Sequence, residues 1–278
     1  MSAVMTANSE TRCFPYVAPD RMVRKDFHVD ENVSQDTCEL SVVIPAFNEA
    51  NRLPQFLISV KNYLQFQFKG EYEVLVVDDG STDQQEAVVQ AIMSGWPQLR
   101  YLKHDRNRGK GAAVRTGMLN TRGEIRLFAD ADGATPIHEE ARLRERIWDG
   151  ADCCVASRII HSKDASRRRS IVRNIAGRIF SYLIHAIVKV PVKDPQCGFK
   201  MFRSSASRRL FGLCEESGYI FDVEILALAE RLKMRVDEVG VDWSEVPGSK
   251  VRMFRDGLQM LSDVLRVRRD INRIARAG

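Results

Sequence analysis

FADADGATP, residues 128–136, ends a short apolar run with two aspartates, Asp130 and Asp132, set two positions apart. In an extended segment residues i and i+2 share a side. Both carboxylates can therefore address one hard divalent cation, which takes oxygen ligands and commonly keeps water or phosphate as well. A metal-held diphosphate is the chemistry this pattern points to. Thr135 and Pro136 then open a helical pattern through Ile137, Leu143 and Ile147, with Gly150 past its end.

The same succession of apolar run, polar cluster and helix occurs twice upstream. LSVVI at 40–44 runs into Pro45, Ala46, Phe47, Asn48 and Glu49, and EVLVV at 73–77 runs into Asp78, Asp79, Gly80 and Ser81. Both runs are short, rich in β-branched residues and stop at turn formers, which marks buried strands. Beyond the first, Leu53, Phe56, Leu57, Val60 and Leu64 recur at helical spacing, with Pro54 in a first turn. Beyond the second, Ser81 or Thr82 is expected to cap a helix carrying Ala87, Val88, Ala91 and Ile92, ended by Gly95. This alternation predicts an α/β fold, a mostly parallel sheet with helices on both faces. Ligands of such sheets sit outside the carboxyl ends of the strands, so all three polar clusters are expected to line one crevice.

The chain of 278 residues carries 42 basic and 37 acidic side chains, net +5. Acidic residues nearly match basic ones, so the composition gives no argument for nucleic acid as a partner. The six cysteines (13, 38, 153, 154, 197 and 214) show no metal-binding spacing, and the polar leader has no secretory apolar core. Reduced thiols in a cytoplasmic protein are the expectation. Cys197 has no His or Asp spaced to activate it and reads as packing. No run of about 18 apolar residues occurs. Residues 1–38 lack a sustained period and are expected to form a poorly ordered tail.

Past Arg167, Arg168 and Arg169, the segment 171–190 places Ile171, Ile175, Ile179, Leu183 and Ile187 four apart. Val172, Ala176, Phe180, Ile184 and Val188 widen this row into a broad apolar face interrupted by Arg173, Arg178, His185 and Lys189. Such a basic-flanked helix can lie in a membrane interface or pack as an ordinary core helix. A second basic amphipathic helix is expected over 249–278, from Met253 through Leu265 to Arg266, Arg268, Arg269, Arg273 and Arg276. Basic residues near an anionic leaflet contribute about 1 kcal/mol each.

The succession VIPAFNEANRLP, VLVVDDGSTD, NRGKGAAVRTGML, RGEIRLFADADGAT, DPQCGFKMF, FDVEIL and DWSEVPGSK resembles the family 2 glycosyltransferases of the GT-A fold, in particular dolichyl-phosphate β-glucosyltransferases. The likeness covers about residues 39–265, with the catalytic domain over 39–248. It implies transfer of a hexose, with inversion, from a nucleotide sugar to the phosphate of a polyprenyl lipid. UDP-glucose is the donor so implied, with GDP-mannose as runner-up and Mg²⁺ or Mn²⁺ as cofactor. By the same resemblance Pro45, Ala46, Asn48 and Glu49 hold base and ribose, Asp79 reads the base, and Lys110 approaches the diphosphate. Asp130 and Asp132 match the metal motif. Arg158 and Arg173 fall where related enzymes hold the acceptor phosphate, and Asp194 and Gln196 lie beside it. The implied location is the cytoplasmic face of a membrane, bound peripherally.

Two positions depart from the family pattern. Ala134 stands where many lipid-phosphate transferases have Gln, which removes a third protein ligand to the metal. The leader is polar where eukaryotic members begin with a membrane-spanning helix. A soluble transferase acting on a small molecule or polysaccharide keeps the fold and changes the acceptor. A nucleotide-sugar sensor would keep donor binding and lack turnover.

Overall fold

β-Branched runs become strands wherever both faces can be covered. The computed structural model describes residues 38–160, 182–246 and 262–271, with the backbone of 167–168. Its strands are β1 (Leu40–Ala46), β2 (Tyr72–Asp78), β3 (Leu99–Lys103), β4 (Ile125–Ala129), β5 (Cys153–Ser157), β6 (Arg167–Arg168), β7 (Phe199–Arg203), β8 (Val236–Gly240) and β9 (Trp243–Ser244). Its helices are α1 (Leu53–Phe68), α2 (Gln85–Met93), α3 (Lys110–Leu119), α4 (Glu140–Trp148, after a 3-10 turn at Ile137–Glu139), α5 (182–187), α6 (Ser204–Leu213), α7 (Phe221–Arg231) and α8 (262–271).

Seven strands form one sheet in the order β3-β2-β1-β4-β7-β5-β8, while β6 and β9 pair separately. All neighbours in the large sheet are parallel except β7, which runs antiparallel to both β4 and β5. From β1 the chain steps outward through β2 and β3, then returns to β4 on β1's other side. That reversal opens a crevice at the carboxyl ends of β1 and β4, where ligands of open α/β sheets bind.

Side-chain alternation divides the core between the two faces. Val42, Ile44, Val74, Val76 and Leu127 meet α1 and α4 through Leu53, Leu57, Val60, Leu64, Leu143 and Ile147. Val43, Leu75, Val77 and Phe128 meet α3, α6 and α7 through Val114, Met118, Phe211, Phe221 and Ile225. Each such side chain stabilises the fold by roughly 1.5–3 kcal/mol when fully buried. All five apolar positions expected along α1 are buried. Gly117 lets α3 lie close on β1, since a Cβ there would stand 2.2 Å from Val43 Cγ1.

One helix start differs from expectation. Neither Ser81 nor Thr82 caps α2, which begins at Gln85 with the Asp83 carboxylate accepting from the Gln85 N–H (3.1 Å). Ser81 and Thr82 are held instead by Asn48 from across the crevice. A capping signal read along the sequence competes with partners that only the fold supplies.

The basic amphipathic segments are described in part. Of 171–190, residues 171–181 lie outside the described residues; Ile184 of α5 and Val188 just past it pack on α7 beside Val264 and Val267 of α8. Tyr182 and Leu183 point outward, as does Leu265. Among the described residues no helix is long and apolar enough to cross a membrane.

Candidate active site

The end of β1 is locked to the end of β2 by backbone and side-chain bonds. Asp79 donates its N–H to Ala46 O (2.9 Å) beside the buried Pro45–Ala46 pair. Asn48 takes a left-handed conformation (φ 53), and its side-chain oxygen accepts from the N–H groups of Thr82 (2.8 Å) and Asp83 (3.2 Å). Its own N–H donates to Ser81 Oγ (2.8 Å). Asn tolerates this backbone better than most residues. Glu49 is buried and receives two bonds from Arg52, at 2.7 and 2.6 Å. Arg52 was not singled out in the sequence; its three-residue spacing from Glu49 at the helix start was the available signal.

Asp79 is buried with both oxygens engaged. His104 Nδ1 (2.8 Å) and the Arg108 N–H (2.9 Å) meet Oδ1, and the Gly109 N–H (2.8 Å) donates to Oδ2. Asp79 therefore fixes the 104–109 loop, whose end starts α3. Gly109 (φ 101) turns the chain there against Ser217, and the first residue of α3 is Lys110.

Lys110 Nζ stands 2.6 Å from Asp130 Oδ1. Burial opposes its charge, yet the carboxylates of Asp130, Asp222 and Asp132 outweigh that and hold the ammonium protonated far above the usual lysine range. Asp132 accepts the Ala134 N–H (3.0 Å). Burial and the neighbouring Asp130 charge raise its pKa, against the opposing pull of the Ala134 N–H, Arg52 and Lys110. Both aspartates remain partly exposed at the mouth of the crevice. Two neighbouring carboxylates, with hard oxygen donors facing solvent, suit a divalent cation.

The second side of the crevice is built by the 194–198 turn. Asp194 is buried and takes Arg158 Nε (2.9 Å), Nη2 (2.8 Å) and the Arg158 backbone N–H (2.8 Å). Glu238 of β8 braces that turn by accepting the N–H groups of Lys193 and Asp194, each at 2.9 Å. The Arg158 guanidinium also lies 5.9 Å from the Trp243 ring. Asp194 uses two of the five guanidinium donors, so three can face another anion. Gln196 is half-buried in the same turn. Cys197 is buried, and burial pushes its thiol up to about 12, as expected of a packing residue. Arg173 lies outside the described residues.

A third acidic group, His138, Glu139 and Asp242, gathers ligand atoms within 4.8 Å. Arg142 Nε already stands 3.4 Å from Glu139 there, which makes it a weaker cation site than the aspartate pair.

The family model "Glycosyl transferase family 2" matches residues 41–211, more than half of the chain and most of this architecture. The chain belongs to glycosyl transferase family 2. Similar curated proteins place this family 2 enzyme more narrowly. A dolichyl-phosphate β-glucosyltransferase of Drosophila melanogaster is 39% identical over 82% of this chain and 74% of its own. That of Homo sapiens is 37% identical over 84% and 75%, and that of Saccharomyces cerevisiae 34% over 87% and 77%. Among solved structures, glucosyl-3-phosphoglycerate synthase from Mycobacterium tuberculosis with Mn²⁺, uridine diphosphate and phosphoglyceric acid superposes with a TM-score of 0.60. It is 22% identical, over 83% of this chain and 77% of that one, a likeness of fold. The expected GT-A architecture is the one observed.

Proposed function

We propose that this glycosyltransferase moves glucose from UDP-glucose to the phosphate of a polyprenyl lipid such as dolichyl phosphate, with inversion at the anomeric carbon. The observation that carries the reading is the similarity, over more than four-fifths of the chain, to dolichyl-phosphate β-glucosyltransferases of several organisms. The relatives favour glucose over the GDP-mannose alternative. The same similarity favours a lipid-phosphate acceptor over the small-molecule and polysaccharide alternatives.

The donor belongs to the β1–β2–β4 side of the crevice. The Asn48–Ser81 interlock and the loop that Asp79 fixes shape a rigid wall for the uridine, with Pro45, Ala46 and Glu49 beside it. Asp130 and Asp132 are the residues that would hold Mg²⁺ or Mn²⁺, which supplies positive charge to the departing diphosphate. Lys110 shares that load from the start of α3, and Arg52 adds a second cation nearby.

The acceptor needs little activation. A phosphate monoester has its second pKa near ~6, so at neutral pH it is already a dianion able to attack C1. The C1–O bond to the diphosphate breaks as the new C1–O bond forms on the opposite face, and no proton has to be removed. Arg158, oriented by Asp194, then acts by positioning, with Arg173 as a proposed second contact and Gln196 beside them. The outward Tyr182, Leu183 and Leu265 with the basic residues of α8 support attachment to the cytoplasmic face of a membrane.

The test is purified protein with Mn²⁺ or Mg²⁺, a panel of labelled nucleotide sugars and a short polyprenyl phosphate. Lipid-extractable label from UDP-glucose is the expected result. Donor binding with no transferred sugar would instead favour a nucleotide-sugar sensor.

A further inference from the structure

A lysine with no exposed surface lies inside the sheet, on the strand next to β4. Lys200 of β7 is 0% exposed, and its Nζ donates to Cys197 O and to Asp222 Oδ1, each at 2.5 Å. Asp222, in the first turn of α7, is 3% exposed. The cation also faces the Phe128 ring, 5.2 Å from its centroid. Burying such a pair is costly, and apolar residues of similar volume commonly serve stability as well or better. Packing alone therefore leaves its presence unexplained.

Its position supplies a reason. β7 runs antiparallel to β4, with Lys200 opposite Phe128 and Phe199 opposite Ala129. The turn that feeds β7 thereby lies beside the start of the metal loop. Gly198 O accepts the Asp130 N–H (3.0 Å), and a Cβ on Gly198 would stand 2.0 Å from Asp130 Oδ2. Asp130 is thus seated on bare backbone at Gly198. The carbonyl that Lys200 grips belongs to the residue immediately before, Cys197.

We propose that the Lys200–Asp222 pair is a positioning device for the metal site: Lys200, neutralised by Asp222, pins the Cys197–Gly198 turn that sets the orientation of Asp130. The inference rests on the reading of Asp130 and Asp132 as metal ligands. Neither Lys200 nor Asp222 touches substrate in this account. The pair carries no net charge as a unit, and Asp222 also helps to hold the Lys110 ammonium; Gly198→Ala, which leaves every charge in place, isolates the geometry around Asp130.

The experiment uses the full chain and measures Mn²⁺ binding in the presence of UDP, by the electron paramagnetic resonance of free Mn²⁺, beside ligand-free thermal melting. The double substitution Lys200→Met with Asp222→Leu removes both charges at similar volume. It is expected to melt cooperatively near the wild-type temperature yet bind Mn²⁺ 10–100-fold more weakly, the usual loss when an outer partner of a metal ligand is removed. Gly198→Ala, which pushes directly on Asp130, is expected to weaken Mn²⁺ at least about tenfold with a similar melt. A double variant that melts normally and binds Mn²⁺ as tightly as wild type overturns the proposal. If the double variant does not fold, Gly198→Ala decides: unchanged binding overturns the seat at Asp130, and a tenfold loss supports it. Wild type failing to bind Mn²⁺ with UDP would overturn the metal reading itself, and the inference with it.

Discussion

Asp132 and Asp194 are both aspartates with opposite tasks, set by their surroundings. Asp132 is partly exposed, accepts one backbone N–H and faces another carboxylate, an arrangement that a bound cation would stabilise. Asp132→Asn should reduce turnover at least ~100-fold, the scale of losing one electrostatic stabiliser of a transition state, with Mn²⁺ binding weakened in parallel. An unchanged rate constant would remove this residue from the metal site. Asp194 is engaged by Arg158 through three hydrogen bonds. Asp194→Ala should raise KM for the lipid phosphate about tenfold, since a misplaced guanidinium costs about as much as a charged hydrogen bond, and leave KM for the nucleotide sugar in place. Equal rises in both would mean a general disturbance of the crevice. The acidic and basic residues that meet here were legible in the sequence because each follows an apolar run or falls in a family block. Their pairings were not. His104 on Asp79 and Asp222 on Lys200 are 25 and 22 residues apart, and nothing local in the chain signals either pair.

Helices and strands set how close these groups come. α3 delivers Lys110 to Asp130 only because Gly117 allows it to lie on β1. Gly117→Ala would force a methyl into Val43, and overpacking of this kind costs about 1–3 kcal/mol. The expected outcome is a lower melting temperature together with weaker donor binding, while Gly212→Ala, which meets nothing within 4 Å, should affect neither. α4 offers a pH-dependent case. Glu140 is buried against Tyr63 and Arg144, and burial raises its pKa despite those partners. A carboxyl whose folded pKa lies above its unfolded value keeps its proton longer in the native state. Stability contributed by that proton is present below the unfolded pKa and is lost as pH rises to the folded one. Glu140→Gln imitates the protonated form, so its melting temperature should match wild type near pH 4 and equal or exceed it at pH 7.5. A variant that loses stability as pH rises would show that Arg144 pairing dominates. The strand–helix alternation was readable from period alone. The direction of β7 was not, because an antiparallel strand buried on both faces carries the same apolar signature as its parallel neighbours.

At the scale of the whole molecule, α5 and α8 share one buried face on α7 and leave another outward. Tyr182 is 74% exposed, and Leu265, 52% exposed, adjoins Arg266, Arg268 and Arg269 in sequence. Vesicles containing anionic lipid should sediment the protein at low salt and release it as ionic strength rises. Leu265→Glu combined with Arg269→Glu should weaken sedimentation about tenfold or more, at roughly 1 kcal/mol per basic residue plus the lost apolar contact, and leave UDP binding intact. Sedimentation that ignores both salt and these substitutions would place membrane contact elsewhere. The sequence pattern alone left interface and core as rival readings of 171–190. In the part that is described, Ile184 and Val188 are turned into the core and Tyr182 and Leu183 outward.

The reversed strand has one more effect. Because β5 and β7 run in opposite directions, the chain leaves the sheet after Ser157 and re-enters at Phe199 on the same rim, the rim where Asp130 and Asp132 lie. The described ends of the intervening segment are tied together by the Arg158–Asp194 bonds, and Gly198 at its far end seats Asp130 of the metal loop. On the proposed function, substitutions at Arg158 and Gln196 on this rim are therefore expected to change which acceptor is used before they change the choice of sugar nucleotide.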